Sequence, residues 1–328
     1  MSEFTKTMYV IWPDYDYIDK AIEAGIDTLL VLTYHNVTEE DIDNLFQRYN
    51  GKVTLIPVVS WVGLNTIVPE GQQFYDGKNY QKYTPCPLNR DYIKDKLRFS
   101  LELHKKYTSC TGIAIDFESY GKGHEGVIPY YDEWQDEAIC RCDKCKGLSE
   151  HDQRMKNVEL MQEILGEISL YQFPCINPYL WSISDWWYNE HTYLGGWNVY
   201  RILKYTFNMK FGHDVTILNS SGVWMEHFTA KDYLRLIKKY IKSASNDGYW
   251  LYPQMRMSNN CFWRTHPNDP WSKQELAGLP YQSFIDADFD QTSDINFFKK
   301  LKELNDNIDK YRSGLWFRFK KWFIGFFR

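Results

Sequence analysis

Thr111-Gly112-Ile113-Ala114-Ile115-Asp116-Phe117-Glu118-Ser119-Tyr120-Gly121 is an apolar run that ends abruptly in two carboxylates. Its Ile-rich half is too short for a helix. It reads as a strand buried on both faces, the pattern of a parallel sheet covered by helices. Asp116 and Glu118 are two residues apart, and on a strand that spacing puts both on one face. Like charges so close need a shared proton or cation. The pair is therefore a candidate acid/base site at a strand end. The alternative is that one acid caps the next loop and the other meets an Arg or Lys.

On either side of this stretch, short apolar runs alternate with helical patterns. Upstream, strands are predicted at Met8–Trp12, Thr28–Thr33 and Val53–Ser60. Helices are predicted at Tyr17–Gly25, from the Thr38/Asp41 capping box to Tyr49, and at Arg90–Tyr107. Downstream, strands are predicted at Phe173–Pro178, Asp214–Asn219 and Gly248–Gln254. Helices are predicted at His151–Ser169, Ala230–Ser243 (capped by Thr229 with Asp232) and Ser293–Tyr311. An eighth strand falls either in Tyr281–Asp286 or inside Trp181–Tyr205. Seven or eight strand–helix units imply a (β/α)8 TIM-type barrel. Long loops follow its third and fourth strands, Val62–Asn89 and Gly121–Glu150, and an amphipathic helix closes the chain. Residues 1–312 form the barrel domain and 313–328 a separate tail. No Gly-rich phosphate loop follows the first strand, which argues against an open, doubly wound sheet.

Composition narrows the function. The chain has 328 residues, is 44% hydrophobic and 25% charged, and carries a net charge of −5. No basic run lies in its body, so a nucleic-acid partner is not expected. Met1–Thr7 is polar, without the apolar core of a secretory signal, and no run of 18 apolar residues occurs. A cytoplasmic chain with reduced thiols is the expectation. Aromatics reach 17%, and many stand just after predicted strands, where barrel active sites form. Those positions hold Trp12 and Asp14, Tyr34 and His35, Ser60 and Trp61, Asn177, Tyr179 and Trp181, Asn219 and Ser220, then Tyr252, Gln254 and Arg256. Rings, amides and acids together suit a sugar, whose C–H faces stack on rings and whose hydroxyls bond to amides and carboxylates. A single Trp after a strand is more often packing; the coincidence over several strands carries the reading.

Gly112-Ile113-Ala114-Ile115-Asp116-Phe117-Glu118 resembles the fourth-strand signature Asp-Gly-x-Asp-x-Asp-x-Glu of the family-eighteen glycoside hydrolases, the chitinase-like barrels. Thr111 and Ala114 stand where the first two Asp would be. The resemblance implies that Glu118 is the general acid and that Asp116 positions a substrate 2-acetamido group as internal nucleophile. Asp116-Phe117-Glu118-Ser119-Tyr120-Gly121, Cys140-Arg141-Cys142-Asp143-Lys144-Cys145 and Cys86-Pro87 also resemble uncharacterised glycosidase-like barrels with a Cys-x-Cys-x2-Cys loop. Muramidase-type barrels share the Asp-x-Glu strand end, so peptidoglycan-like glycans stay open. Glycosidases commonly flank the scissile bond with two carboxylates, and neighbours on one strand do not easily supply both sides. Glu118 therefore needs substrate assistance or a distant acid, for which Glu226, Asp185, Asp14 and Asp286 are candidates. Two other readings remain: a catalytically silent barrel that binds glycan or a protein, and a hydrolase in which Asp116, Glu118 and His35 hold a cation.

Cys140, Cys142 and Cys145 lie within six residues. Three thiols so close suit a structural zinc, with a fourth ligand from Cys86, His124 or His151. Such an ion would pin a loop too long to order itself. Free thiols and a disulfide are the other readings. Cys110, Cys175 and Cys261 read as buried core residues.

The last residues, Leu315–Arg328, are basic and aromatic. Wound as a helix, they group Arg318, Lys321 and Arg328 opposite the rings of Trp316, Phe319, Trp322, Phe323, Phe326 and Phe327, with Lys320 at the rim. A terminal helix of this kind suits peripheral association with an anionic membrane surface; docking of the rings on the barrel or a second subunit is the alternative. The sequence-level expectation is a glycosidase working on a glycan at a membrane surface.

Overall fold

The computed structural model describes residues 4–10, 13–33, 37–60, 67–116, 140–173, 184–189, 216–220, 230–242, 248–251, 291–314 and 317–319. Eight strands form one parallel sheet that closes on itself. They are β1 (Thr5–Val10), β2 (Thr28–Leu32), β3 (Thr54–Ser60), β6 (Gly112–Asp116), β7 (Ser169–Phe173), β8 (Ser184–Asn189), β9 (Thr216–Ser220) and β10 (Gly248–Leu251). Chain order is also spatial order, and β10 closes the ring by pairing Gly248–Leu251 with Thr5–Met8 of β1. Two further strands, β4 (Gln73–Tyr75) and β5 (Tyr80–Pro85), make a separate antiparallel hairpin. Described helices are α1 (Tyr15–Glu23), α2 (Glu39–Tyr49), α3 (Arg90–Lys106), α4 (Glu150–Leu165), α5 (Ala230–Lys242), α6 (Gln291–Asp306) and α7 (Ile308–Arg312).

Alternation along each strand separates two packing layers. Met8, Val10, Leu29, Val31, Leu55, Tyr249 and Leu251 join one apolar cluster with Ile18, Ala21, Ile42, Phe46, Ile237 and Phe297 of the helices. Ile113, Ile115, Val59 and Leu170 join a second cluster with Ile93, Leu97, Met161 and Leu165 of α3 and α4. The intervening residues Thr7, Tyr9, Leu30, Ile56, Val58, Ala114 and Trp250 are buried as well. They belong to neither cluster and fill the barrel interior. Tyr9 and Trp250 meet there edge to face, with ring centroids 6.3 Å apart. The barrel seam is tied from outside. Asn305 of α6 accepts from the Tyr249 hydroxyl at 2.9 Å and donates to the Ala24 carbonyl at 2.8 Å.

The expected rhythm of strands is present, and the eighth strand is the one inside Trp181–Tyr205. The Tyr281–Asp286 alternative lies outside the described residues, as do the crossovers on either side of β8. The Thr38–Asp41 capping box forms, each partner accepting from the other's backbone N–H at 3.1 Å. Two expectations change. Strand five is described over Ser169–Phe173, beginning earlier than the expected Phe173, and residues 174–178 lie outside the described residues. Gly166, at φ 60°, caps the C-terminus of α4, so the chain turns towards the strand earlier than expected. The region after strand three is not a structureless loop, because it holds β4 and β5. Asp76 accepts from the N–H groups of Lys78 and Asn79, both at 2.7 Å, while Gly77 turns the chain at φ 102°. An Asp-Gly pair between aromatic, β-prone residues was the readable signal for this hairpin.

Candidate functional site

Each strand of a parallel barrel hands its chain to a helix at the same end, so the helix N-termini and the strand C-termini share one face. Asp116 is the last residue of β6 and stands in register between Ser60 of β3 and Phe173 of β7. Its backbone closes the strand at the end from which the chain runs on towards α4. Glu118 lies outside the described residues, and so do Trp12, Tyr34, His35, Trp61, Asn177, Tyr179, Trp181, Tyr252 and Gln254. Of the four acids considered as a distant partner, Asp14 is the N-cap of α1 and accepts from the Tyr17 N–H at 3.2 Å. Asp185 is the second residue of β8, near the end of the strand opposite the site. Glu226 and Asp286 lie outside the described residues.

Gly112 explains why the signature opens on glycine. A Cβ there would come within 2.4 Å of both the Ser169 carbonyl oxygen and the Tyr171 ring. Beside the barrel, a cleft of about 600 Å³ opens between α3, the start of α2 and residues 67–72, with Glu39, Asp91, Asp95 and Lys96 among its lining. Burial lowers the Lys96 pKa, and its ammonium lies 5.5 Å from the Tyr92 ring centroid.

The best-described site is a cluster of four cysteines. The sulfurs of Cys86, Cys140, Cys142 and Cys145 all lie within 4.8 Å of one another. Cys86 Sγ is 3.5 Å from Cys142 Sγ and 3.6 Å from Cys145 Sγ. A tetrahedral zinc with Zn–S bonds of about 2.3 Å requires sulfurs about 3.8 Å apart, so the donor set fits. Of the proposed fourth ligands, Cys86 is the one in place. His151 is exposed on α4 and outside the cluster, and His124 lies outside the described residues. Cys110 is a buried core thiol, as expected, its pKa pushed up to about 12 by burial.

Two separate segments build this centre. Cys86 follows β5 and precedes α3, and its N–H donates to the Gln72 carbonyl at 2.7 Å. Cys140–Cys145 leads into α4. Arg141 donates its N–H to the Tyr75 carbonyl at 2.7 Å, and Tyr75 donates back to Cys140 Sγ at 3.5 Å. Hydrogen bonds from the Cys145 and Cys86 thiols hold Cys140 well below the usual thiol range, and Cys145 and Cys86 are raised by the same bonds to Cys140. Four thiols this close cannot all ionise without a cation to share, so metal binding would expel their protons.

Sequence reading missed the residues that hold these segments. Gln153 is buried on α4. Its Oε1 accepts from Cys140 N–H at 3.0 Å and its Nε2 donates to the Cys140 carbonyl at 2.8 Å. One turn on, buried Asn157 donates to the Pro87 carbonyl at 2.6 Å. The available signal was two amides at i and i+4 on the apolar face of a helix. Gln153→Ala leaves the Cys140 N–H and carbonyl without those partners. It is expected to cost about 1–3 kcal/mol in a urea titration of the metal-loaded protein; Gln153→Glu should not rescue it, because a carboxylate oxygen would replace the Nε2 donor that faces the Cys140 carbonyl.

No family model and no curated protein matches the chain. Solved structures resemble it distantly. An agarase is 12% identical, with a TM-score of 0.42 over 87% of this chain and 49% of the agarase. An α-galactosidase from Thermus thermophilus is 9% identical, with a TM-score of 0.45 over 76% of this chain and 58% of the enzyme. A maltogenic α-amylase from Thermotoga neapolitana is 9% identical, with a TM-score of 0.45 over 94% and 77%. The chain spans about half the length of the agarase. Likeness at this level leaves function to be argued from the chain's own residues.

Proposed function

We propose that the chain is a (β/α)8-barrel glycoside hydrolase, with Glu118 as general acid/base and Asp116 as its partner. One observation carries the reading: the Asp-x-Glu pair begins at the last residue of the fourth strand of a closed parallel barrel, on the face where such folds do their chemistry. A barrel strand delivers a carboxylate to that rim on a rigid element, so the acid is positioned before substrate arrives. Trp12, Tyr34, His35, Trp61, Asn177, Tyr179, Trp181, Tyr252 and Gln254 supply stacking rings and hydrogen-bonding groups around the glycan. The test is hydrolysis of a panel of aryl glycosides and oligosaccharides that includes N-acetylhexosamine substrates. A hydrolysed substrate names the sugar class. Glycan binding with no hydrolysis anywhere on the panel would replace the enzyme with a silent binding barrel.

Zinc is the ion we assign to the four cysteines, since four thiolates in tetrahedral reach suit it best. When bound, it would supply structure and no chemistry to the substrate, because all four coordination positions are filled by protein.

Residues 1–312 form the barrel domain in this reading, and 313–328 a tail for an anionic membrane surface, which makes the protein peripheral to the membrane in a cytoplasmic setting. Arg318 and Phe319 are exposed, Phe319 to 48%, whereas Phe317 is buried against the Arg312 guanidinium at 4.7 Å. Trp316, Trp322, Phe323 and Phe326 lie outside the described residues. No described helix is long and apolar enough to cross a membrane. Sedimentation with phosphatidylserine vesicles should carry down the full chain and not a chain ending at Arg312; equal sedimentation of both would remove the tail from this role.

A further inference from the structure

We infer that the four-cysteine centre is a cross-brace between two successive strand–helix loops, and that it sets the position of the strand-four loop on which the proposed catalytic acid sits. The positioning part rests on the glycosidase reading above; the brace stands on geometry alone.

The four ligands come from two loops. Cys86 belongs to the loop between β3 and α3, just ahead of the α3 N-cap Asn89. Cys140, Cys142 and Cys145 belong to the loop between β6 and α4, just ahead of the α4 N-cap Ser149. Both loops lie on the barrel face that carries Asp116. One ion holding all four sulfurs therefore cross-links the entries of α3 and α4, the two helices that flank β6. Cys86, Cys140 and Cys145 also share an apolar cluster with Ile113 and Ile115 of β6, so the centre is continuous with the packing of the strand that ends in Asp116.

Among the described residues, Phe74 packs in one apolar cluster with Cys86, Cys140 and Cys145, and Arg90 of α3 pairs with Glu163 of α4. The hairpin meets the second loop through the Arg141–Tyr75 and Tyr75–Cys140 bonds, and Asn157 reaches Pro87 from α4. The hairpin itself is small, and a lone two-stranded hairpin is marginal in water. Residues 117–139, which include Glu118, leave from the end of β6 and return at Cys140. Cys140 is thereby a fixed end point for the chain that follows Glu118. Charge fits the assignment as well. Four thiolates and one Zn²⁺ carry a net −2, and Arg141, Lys144 and Lys146 lie within the same short loop.

The experiment uses the full chain purified with zinc present. Metal analysis should find one zinc per chain. Cobalt substituted for it should show the intense visible bands and sulfur-to-metal charge transfer of a tetrahedral thiolate site. Cys86→Ala should lose the metal although Cys140, Cys142 and Cys145 remain, and Cys86→His should regain it, since imidazole is also a zinc ligand. Chelation of the wild type should then open protease cleavage within 67–89 and 117–149 while the far-ultraviolet circular dichroism of the barrel is retained. In an active protein the same treatment should lower kcat more than it raises KM, the signature of a displaced acid rather than a lost sugar contact. Full metal retention by Cys86→Ala, or a protease pattern unchanged by chelation, would overturn the brace. Global unfolding on chelation would also overturn it, since the ion would then be holding the whole barrel. If the wild type hydrolyses nothing, the glycosidase reading fails alone, and the metal and protease arms still decide the brace.

Discussion

Glu118→Gln is expected to lower glycoside hydrolysis at least about 100-fold, which corresponds to about 2.7 kcal/mol of lost transition-state stabilisation. The amide preserves size and hydrogen bonding but has no proton to give the leaving oxygen. The loss should therefore be smaller for aryl glycosides with good leaving groups than for oligosaccharides, whose leaving alcohols depend on that proton. KM should change little in either case, because the interaction removed is made in the transition state. Asp116→Asn should also reduce turnover, and most on N-acetylhexosamine substrates if Asp116 orients an acetamido group. Undiminished hydrolysis by Glu118→Gln would move the general acid elsewhere on the barrel rim.

Trp250→Ala should be the most damaging substitution away from the site, costing about 3–5 kcal/mol of stability. Trp250 is fully buried in the barrel interior, against Tyr9. Its backbone is in register with Thr7 of β1 and Ser220 of β9, so its ring fills space at the seam where the last strand meets the first. Helices surround the barrel and cannot collapse into it, so the cavity would persist. It would also border the buried Thr7 hydroxyl, which has no hydrogen-bond partner among the described residues. Trp250→Phe should recover much of the loss. Urea titration of the three proteins measures this; a loss under about 1 kcal/mol for Trp250→Ala would mean that the ring is not part of the interior packing.

The sheet was legible because burial on both faces leaves an unambiguous apolar run, as in Thr28–Leu32 and Gly112–Asp116. The capping box of α2 was legible for a similar reason: cap chemistry is local, and Thr38 and Asp41 need only each other. The start of strand five was set too late because the helix pattern was carried to Ser169, whereas the backbone turn at Gly166 ends α4. The β4–β5 hairpin was overlooked among Gly, Pro and Tyr residues, where composition suggested a loop. Asp14 was considered as a distant acid, and its use as a helix cap depends on a backbone conformation that no spacing reveals.

By itself, the sequence determined the alternation of strand and helix, the strand that ends in Asp116, and a three-thiol motif able to take a metal. Each depends on residues close along the chain, whose relations follow from helix and strand periodicity. The tertiary structure alone decided that β10 returns to β1, that Cys86 is the fourth thiol rather than a histidine, and that Gln153 and Asn157 hold the two limbs of the centre. Those pairings join different elements: barrel closure brings β10 to β1, and the packing of neighbouring strand–helix units brings the limbs of the cysteine centre together.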